Sequence, residues 1–231
     1  MPSWNIHLEA GERLARKLHF IPEKKREFLV GCLLPDINNG YINSPKSRYP
    51  HQDTHYAFDE KSSLNFYADY SAKIREKDPI FLGYLFHLFV DGFFNYDFYR
   101  SAKHSPITEH LNDEEKRDLK HHDFWLFDTN FHHPLNLTPE MAEEMAALSN
   151  QVKNVNITPE DLLEVDNILK DNHLNDFIRG DSYIFYTNES LNQLLQDAID
   201  EFYYQYFESE VPGLKSRKEG KNAWTARGRD H

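Results

Sequence analysis

Apolar residues recur along this chain with the spacing of helices and almost nowhere with the alternation of strands. Ile6, Leu14 and Leu18 form one stripe and predict a helix over residues 5–20. Residues 23–34 predict a second helix, stopped by Pro35. The pattern then breaks. Pro35, Asn38-Asn39-Gly40, Pro45 and Pro50 interrupt residues 35–57, which read as a long loop. Such a loop is uncommon in a compact domain unless it carries function. Residues 60–76 predict helix, and Pro79 suits the first turn of a strongly apolar helix over 80–99. A further helix opens near Thr108 to Leu111 and runs to about Phe131. Thr138-Pro139-Glu140 and Thr158-Pro159-Glu160 each combine an N-cap, a proline at the first helical position and an acid in the first turn. They predict helices over 139–152 and 159–172. A last helix, 188–208, carries Leu191, Leu194, Leu195, Ile199, Phe202, Tyr203 and Tyr206. The longest strand-like run is Ser182-Tyr183-Ile184-Phe185-Tyr186, and no internal repeat is present. The pattern therefore predicts an all-α fold, a multi-helix bundle.

Size and charge narrow this picture. A chain of 231 residues suits one helical domain over residues 1–212, followed by a polar, basic tail over 213–231. That tail has no apolar period and the composition of a disordered segment. Hydrophobic content of 39 %, with 17 Phe, 13 Tyr and 3 Trp, can fill a sizeable core. No apolar run approaches the ~18 residues of a membrane span. The polar start, Met1-Pro2-Ser3-Trp4-Asn5-Ile6-His7, has no apolar signal region and predicts a cytoplasmic protein. Net charge is −12, and the tail's Lys215, Arg217, Lys218, Lys221, Arg227 and Arg229 against Glu219 and Asp230 make +4, leaving about −16 elsewhere. So acidic a body argues against tight duplex nucleic-acid binding, which relies on phosphate neutralisation. It leaves a phosphoester substrate open, because bound metals would reverse the sign locally. The single cysteine, Cys32, excludes an internal disulfide and reads as a small core residue. Residues 132–212 carry no chemical motif and predict helices that pack on the bundle or form a lid or dimer surface. The stripe Tyr203-Tyr204-Gln205-Tyr206-Phe207 fits core packing or a partner such as a second copy of the chain.

Candidate chemistry centres on Phe81-Leu82-Gly83-Tyr84-Leu85-Phe86-His87-Leu88-Phe89-Val90-Asp91. Residues four apart share a helical face, so His87 and Asp91 stand together inside an apolar helix. A carboxylate buried there costs several kcal/mol unless something pairs with it. Two partners fit: a metal ion bound by both residues, or a His–Asp hydrogen bond that only holds the core together. Other histidines and carboxylates sit at comparable places. His7 lies on the inward side of the first helix. Asp36 follows Leu33-Leu34-Pro35, either as a local cap or aimed into a site. His55 ends the long loop, and His122 precedes Asp123 where a second aromatic helix runs. A single metal cluster accounts for all of these placements together, whereas core packing needs a separate accommodation for each. His19, His104, His110, His132, His133, His173 and His231 lie in polar or terminal contexts and read mostly as solvent-exposed.

Three segments in this order carry a family resemblance: Gly31-Cys32-Leu33-Leu34-Pro35-Asp36, Thr54-His55-Tyr56-Ala57-Phe58-Asp59 and the Phe81–Asp91 run. Together they resemble the zinc-dependent phospholipase C family, whose helical fold is shared with single-strand-specific zinc nucleases. The resemblance spans roughly residues 4–131, leaving 132–212 as accessory helices. It implies an all-α bundle around up to three zinc ions that cleaves phosphoester bonds, with a small phosphoester or phospholipid-like substrate. By motif position it implies His55 and His87 as ligands of a first metal and Asp91 as a bridging carboxylate. Asp36 would be a ligand and the general base for the attacking water, and His7 would bind another metal.

The chain departs from the family pattern in three places. The family uses a mature N-terminal tryptophan amine as a ligand, whereas here Trp4 has three residues before it. Six residues after Asp91 the family has a histidine, and here Asp97 stands as the substitute donor. The family's later His-x-x-x-Glu has no match, since His121 is followed at +4 by Trp125 and His122 by Leu126. His122 and Asp123 would have to substitute. These departures reduce the expectation to one or two zinc ions, and an oxygen-richer site suits Mn or Fe as well. Two other readings compete. One is a helical phosphohydrolase of the HD type, with His122-Asp123 meeting His87 and an Asp such as Asp176 or Asp181. The other is a non-catalytic protein that keeps the fold with a degenerate site.

Overall fold

The computed structural model describes residues 2–38, 42, 48–56, 61–171 and 182–209. The basic tail, Ala57-Phe58-Asp59, Asp176 and Asp181 lie outside the described residues. The elements are α1 (Trp4–Lys17), α2 (Pro22–Gly31), α3 (Leu34–Asn38), α4 (His51–Thr54), α5 (Ser62–Arg75), α6 (Pro79–Ala102), α7 (Asp113–Asp128), α8 (Pro139–Ser149), α9 (Pro159–Asp171) and α10 (Asn188–Tyr203). A π-helical turn, Tyr204–Glu208, closes the series. No strand occurs among the described residues, so the fold is all-α. Each helix predicted from periodicity is present within a few residues. The region read as a long loop adds two short helices, α3 and α4, too brief to show a period. Ser182–Tyr186 is irregular rather than extended into a sheet.

α6 is the axis of the molecule. From Pro79 to Val90 it is apolar on nearly all sides and buried all round. It packs against α1, α2, α3, α5 and α10. Its contact with α2 is the tightest, because Gly31 and Gly83 face one another. A methyl group on Gly31 would collide with the Ile80 carbonyl oxygen, and one on Gly83 with that of Phe28. α5 lies against α6 through Phe66 stacked on Tyr84 (4.6 Å between ring centroids). α10 brings Phe202 against Phe86 and Phe89, at 4.8 and 5.3 Å.

The stripe at Tyr203–Phe207 resolves as core. Gln205 and Tyr206 are buried, Tyr203 and Phe207 pack against the core, and Tyr204 remains exposed. Of the two uses open to it, core packing is the one these contacts fill. No helix among the described residues is long and apolar enough to cross a membrane.

Several buried carboxylates fasten helices and loops by accepting backbone N–H groups. Asp128, the last residue of α7, caps α1 from outside: its Oδ1 accepts from the backbone of Asn5 (3.0 Å) and Ile6 (3.3 Å) and from the Ser3 hydroxyl. This supplies the N-terminal cap that no local side chain provides. Asp166 accepts in the same way from Leu135, Asn136 and Leu137 (2.7–2.9 Å). Thr138 and Thr158 accept from Met141 and Asp161, as their sequence signature predicts.

Candidate metal centre

Five side chains from four helical segments converge below the surface. His7 comes from α1, Asp36 from α3, His55 from the end of α4, and His87 and Asp91 from successive turns of α6. Their exposures are 1, 0, 3, 0 and 6 % respectively. The α2–α6 glycine contact sets the geometry of the centre, because it brings the carbonyl of Cys32 within 2.7 Å of His87 Nδ1. A backbone carbonyl only accepts, so Nδ1 carries a proton and Nε2 is the atom left to take up a further proton or a metal ion.

The same logic fixes His55. The Thr54 hydroxyl donates to the His51 carbonyl (3.2 Å), so its oxygen accepts from His55 Nδ1 (3.0 Å). His55 Nε2 is then likewise the atom left for a proton or a metal ion, 3.3 Å from His87 Nε2. The carboxylate oxygens deepen the concentration of electron pairs. Asp91 Oδ2 lies 3.4 Å from His55 Nε2 and 3.5 Å from His87 Nε2, and Asp36 Oδ1 lies 3.6 Å from His55 Nε2. His7 stacks on His87 (3.9 Å, 12° between planes) and sets its Nε2 3.2 Å from Asp91 Oδ1. Despite that approach, neither ring nitrogen of His7 and neither oxygen of Asp91 has a well-aligned hydrogen-bond partner. Buried polar atoms in this condition cost roughly 1–3 kcal/mol each.

The electrostatics agree. Burial, together with the charge of His87, pushes His7 down to about 4. Burial also pushes His87 down, but the charges of Asp91 and Asp36 outweigh it and raise the ring above its ordinary 6.5. Burial would raise Asp91, yet His87, His55 and His7 hold it well below the usual carboxylate range. Acceptor atoms converging in a buried space with too few protons between them call for a cation. Among the described residues, two donor groups satisfy the reach of an ion: His7, His87 and Asp91, and Asp36, His55 and His87. Their chemistry of imidazole nitrogen and carboxylate oxygen is that of a zinc site.

The structure also adds a residue that the sequence reading passed over. His51, on α4, stacks on His55 with ring centroids 3.7 Å apart and planes 11° from parallel. Burial and then the neighbouring His55 lower it to about 4, while Asp36 and Asp91 pull the other way. His51 and His55 repeat the four-residue spacing of His87 and Asp91, and that spacing was the available signal.

Asp97, His122 and Asp123 are not brought into this cluster. Asp123 accepts from the backbone of Ile184 (2.9 Å), Phe185 (2.8 Å) and Tyr186 (2.8 Å), clamping the 182–186 segment. Asp97 accepts from the Tyr186 hydroxyl at 3.0 Å, and His122 Nε2 donates to the Ser182 carbonyl at 3.1 Å. All three tie the same segment to α6 and α7, a structural task where the sequence reading expected metal donors. His121 stacks on Trp125, the residue that stands at the family's glutamate position. The HD-type arrangement is likewise not formed: His87 meets His7, Asp36, His55 and Asp91 rather than His122-Asp123.

Comparison with known proteins identifies a family. A model of the family described as zinc dependent phospholipase C matches residues 6–210, a span that contains the whole cluster. No curated protein and no solved structure matches at significance. With most of its length matched and buried donors converging inside that length, the chain belongs to the zinc dependent phospholipase C family.

Proposed function

We propose that the cluster holds zinc and that the chain hydrolyses phosphoester bonds of a small, phospholipid-like substrate. One observation carries the reading. The Nε2 atoms of His55 and His87 stand 3.3 Å apart, flanked by Asp36 and Asp91 in a buried space where imidazole nitrogens and carboxylate oxygens converge. Such a convergence takes up a cation, a proton on His87 in the metal-free chain or a metal ion in its place.

His55, His87, Asp91, Asp36 and His7 would hold the metal. His87 has one free nitrogen, because Nδ1 is committed to the Cys32 carbonyl. It can therefore complete only one of the two donor groups at a time, which favours one fully liganded ion and at most a second held by fewer protein donors. Imidazole with carboxylate suits zinc and also admits Mn or Fe. Bound zinc acidifies water to a pKa near ~7 and offsets charge that develops on phosphoryl oxygens.

The remaining chemistry falls to the side chains. The Cys32 carbonyl and the Thr54 hydroxyl hold His87 and His55 in their metal-binding tautomers. Asp36 accepts the proton of the attacking water. His7 buttresses His87 by stacking and offers its own nitrogen to the ion. The acidic body disfavours polyanionic duplexes and leaves small esters as the substrate class.

The test is metal content and turnover on the same preparation. The chain produced with zinc retains one to two ions and cleaves a chromogenic phosphodiester, and His87→Ala loses both. A chain that remains metal-free after zinc supplementation ends the proposal.

A further inference from the structure

All five converging donors are nearly sealed from solvent, so a substrate must meet the cluster through some less buried group. His51 answers that description. It is half-buried, it lies face to face with His55 at 3.7 Å, and His55 in turn reaches Asp36, Asp91 and His87. The carboxylates of Asp36 and Asp91 and the ring of His87 all act on it electrostatically. Among the described histidines, it joins contact with the cluster to partial access from outside.

Its position is also held firmly. Pro50 precedes α4, and the His55 backbone N–H donates to the His51 carbonyl at 2.9 Å. The Thr54 hydroxyl donates to that same carbonyl at 3.2 Å. Tyr84 of α6 donates its hydroxyl to the Thr54 carbonyl, fastening the turn to the central helix. His51 and His55 thus share one hydrogen-bonded turn, tied through Thr54 to the helix that carries His87 and Asp91.

We infer that His51 is a substrate-contacting residue, whose imidazole N–H donates a hydrogen bond to a non-bridging phosphoryl oxygen of a phosphoester seated on the metal centre. The inference rests on the proposed hydrolase reading and adds the group that meets the substrate from the solvent side. A fixed donor aimed where phosphoryl charge develops is the kind of group whose removal costs roughly 10²-fold in rate.

Two substitutions separate the donor from the ring. His51→Phe keeps a flat ring stacked on His55 and removes the N–H. His51→Gln removes the ring and keeps an N–H donor. Both are compared with wild type as the full, zinc-loaded chain, by zinc content, by kcat and KM on a chromogenic phosphodiester, and by inhibition with inorganic phosphate. The expected result is unchanged zinc in both variants, a loss of about 10²-fold in kcat/KM with weakened phosphate inhibition in His51→Phe, and substantial recovery in His51→Gln. Wild-type behaviour in His51→Phe overturns the inference and leaves the hydrolase reading intact. Loss of zinc in His51→Phe also overturns it, by making His51 a ligand. Wild-type chain that carries zinc yet neither turns over ester nor responds to phosphate overturns both.

Discussion

Gly31 and Gly83 meet where α2 crosses α6, and each lacks a side chain because the other helix's backbone fills the space. The consequence reaches the candidate metal centre within about one turn on both helices. Cys32 follows Gly31, and His87 follows Gly83 by four residues, so the contact that joins the helices also delivers the Cys32 carbonyl to His87 Nδ1. Packing and ligand tautomer are therefore one feature, and a change in the first must disturb the second.

Gly83→Ala tests this coupling. The added methyl group meets the Phe28 carbonyl and the Cys32 amide, both backbone, and backbone cannot rotate aside. Overpacking of this kind costs typically ~1–3 kcal/mol, and a collision with backbone belongs at the upper end. Chemical denaturation will show a loss of about 3 kcal/mol. Zinc affinity will fall as well, since separating the helices withdraws the carbonyl from His87. A destabilised variant that binds zinc like wild type would break the link.

Metal and protons compete for the same atoms. His87 is raised above 6.5 in the metal-free chain by Asp91 and Asp36, so a proton must leave when zinc arrives. Zinc affinity will climb as pH rises through that raised value. Calorimetry in buffers of different ionisation enthalpy will register proton release on binding. At free zinc 100-fold above Kd the ion adds about 2.7 kcal/mol to stability, so chelation will lower the thermal midpoint. A midpoint indifferent to chelator would show that no ion binds the folded chain.

His7 carries a separate signature in the metal-free state. Burial lowers it to about 4, so between that value and 6.5 the unfolded chain binds a proton that the folded chain refuses. Stability from this group is therefore complete above 6.5 and lost as pH falls toward 4. The amount is on the order of 3 kcal/mol, from 1.36 kcal/mol per pKa unit. Asp128, raised by burial to about 6, works in the opposite direction over the same range, so wild type alone does not isolate the effect. Subtracting the stability of His7→Gln from that of wild type at each pH will. The difference shrinks with acidification, and a flat difference between pH 6.5 and 4 would show that His7 is not buried neutral.

Legibility followed physical range. α6 announced itself, because an apolar run behind Pro79 makes a buried helix and a four-residue spacing puts His87 and Asp91 on one face of it. Asp36 and His55 lie in short helical segments among prolines, where no period exists. Only the family resemblance suggested their roles, and the fold then set them beside His87. His51 escaped notice for the same reason: a single helical turn has no stripe, although its spacing to His55 matched that of the central pair. His122-Asp123 misled because a buried aspartate has two uses. It can bind a cation or accept backbone N–H groups, and the donors that decided the matter for Asp123 lie 61 to 63 residues away.

That distinction supports a final prediction at Asp123. Its two oxygens accept three successive backbone N–H groups from Ile184 to Tyr186, and Tyr186 in turn donates to Asp97. Hydrogen bonds to a charged group contribute ~1.5–3 kcal/mol each, and the Asp123 carboxylate that accepts these three is itself fully buried. Asp123→Ala removes all three and will destabilise the chain by about 3 kcal/mol or more, within the range for broken buried networks. Protection of the 184–186 amides from hydrogen exchange will fall with it. Zinc stoichiometry in the surviving folded fraction will match wild type, because His7, Asp36, His55, His87 and Asp91 keep their places. If Asp123→Ala instead stays stable and loses an ion, the aspartate is a ligand and the 182–186 segment is held by other contacts.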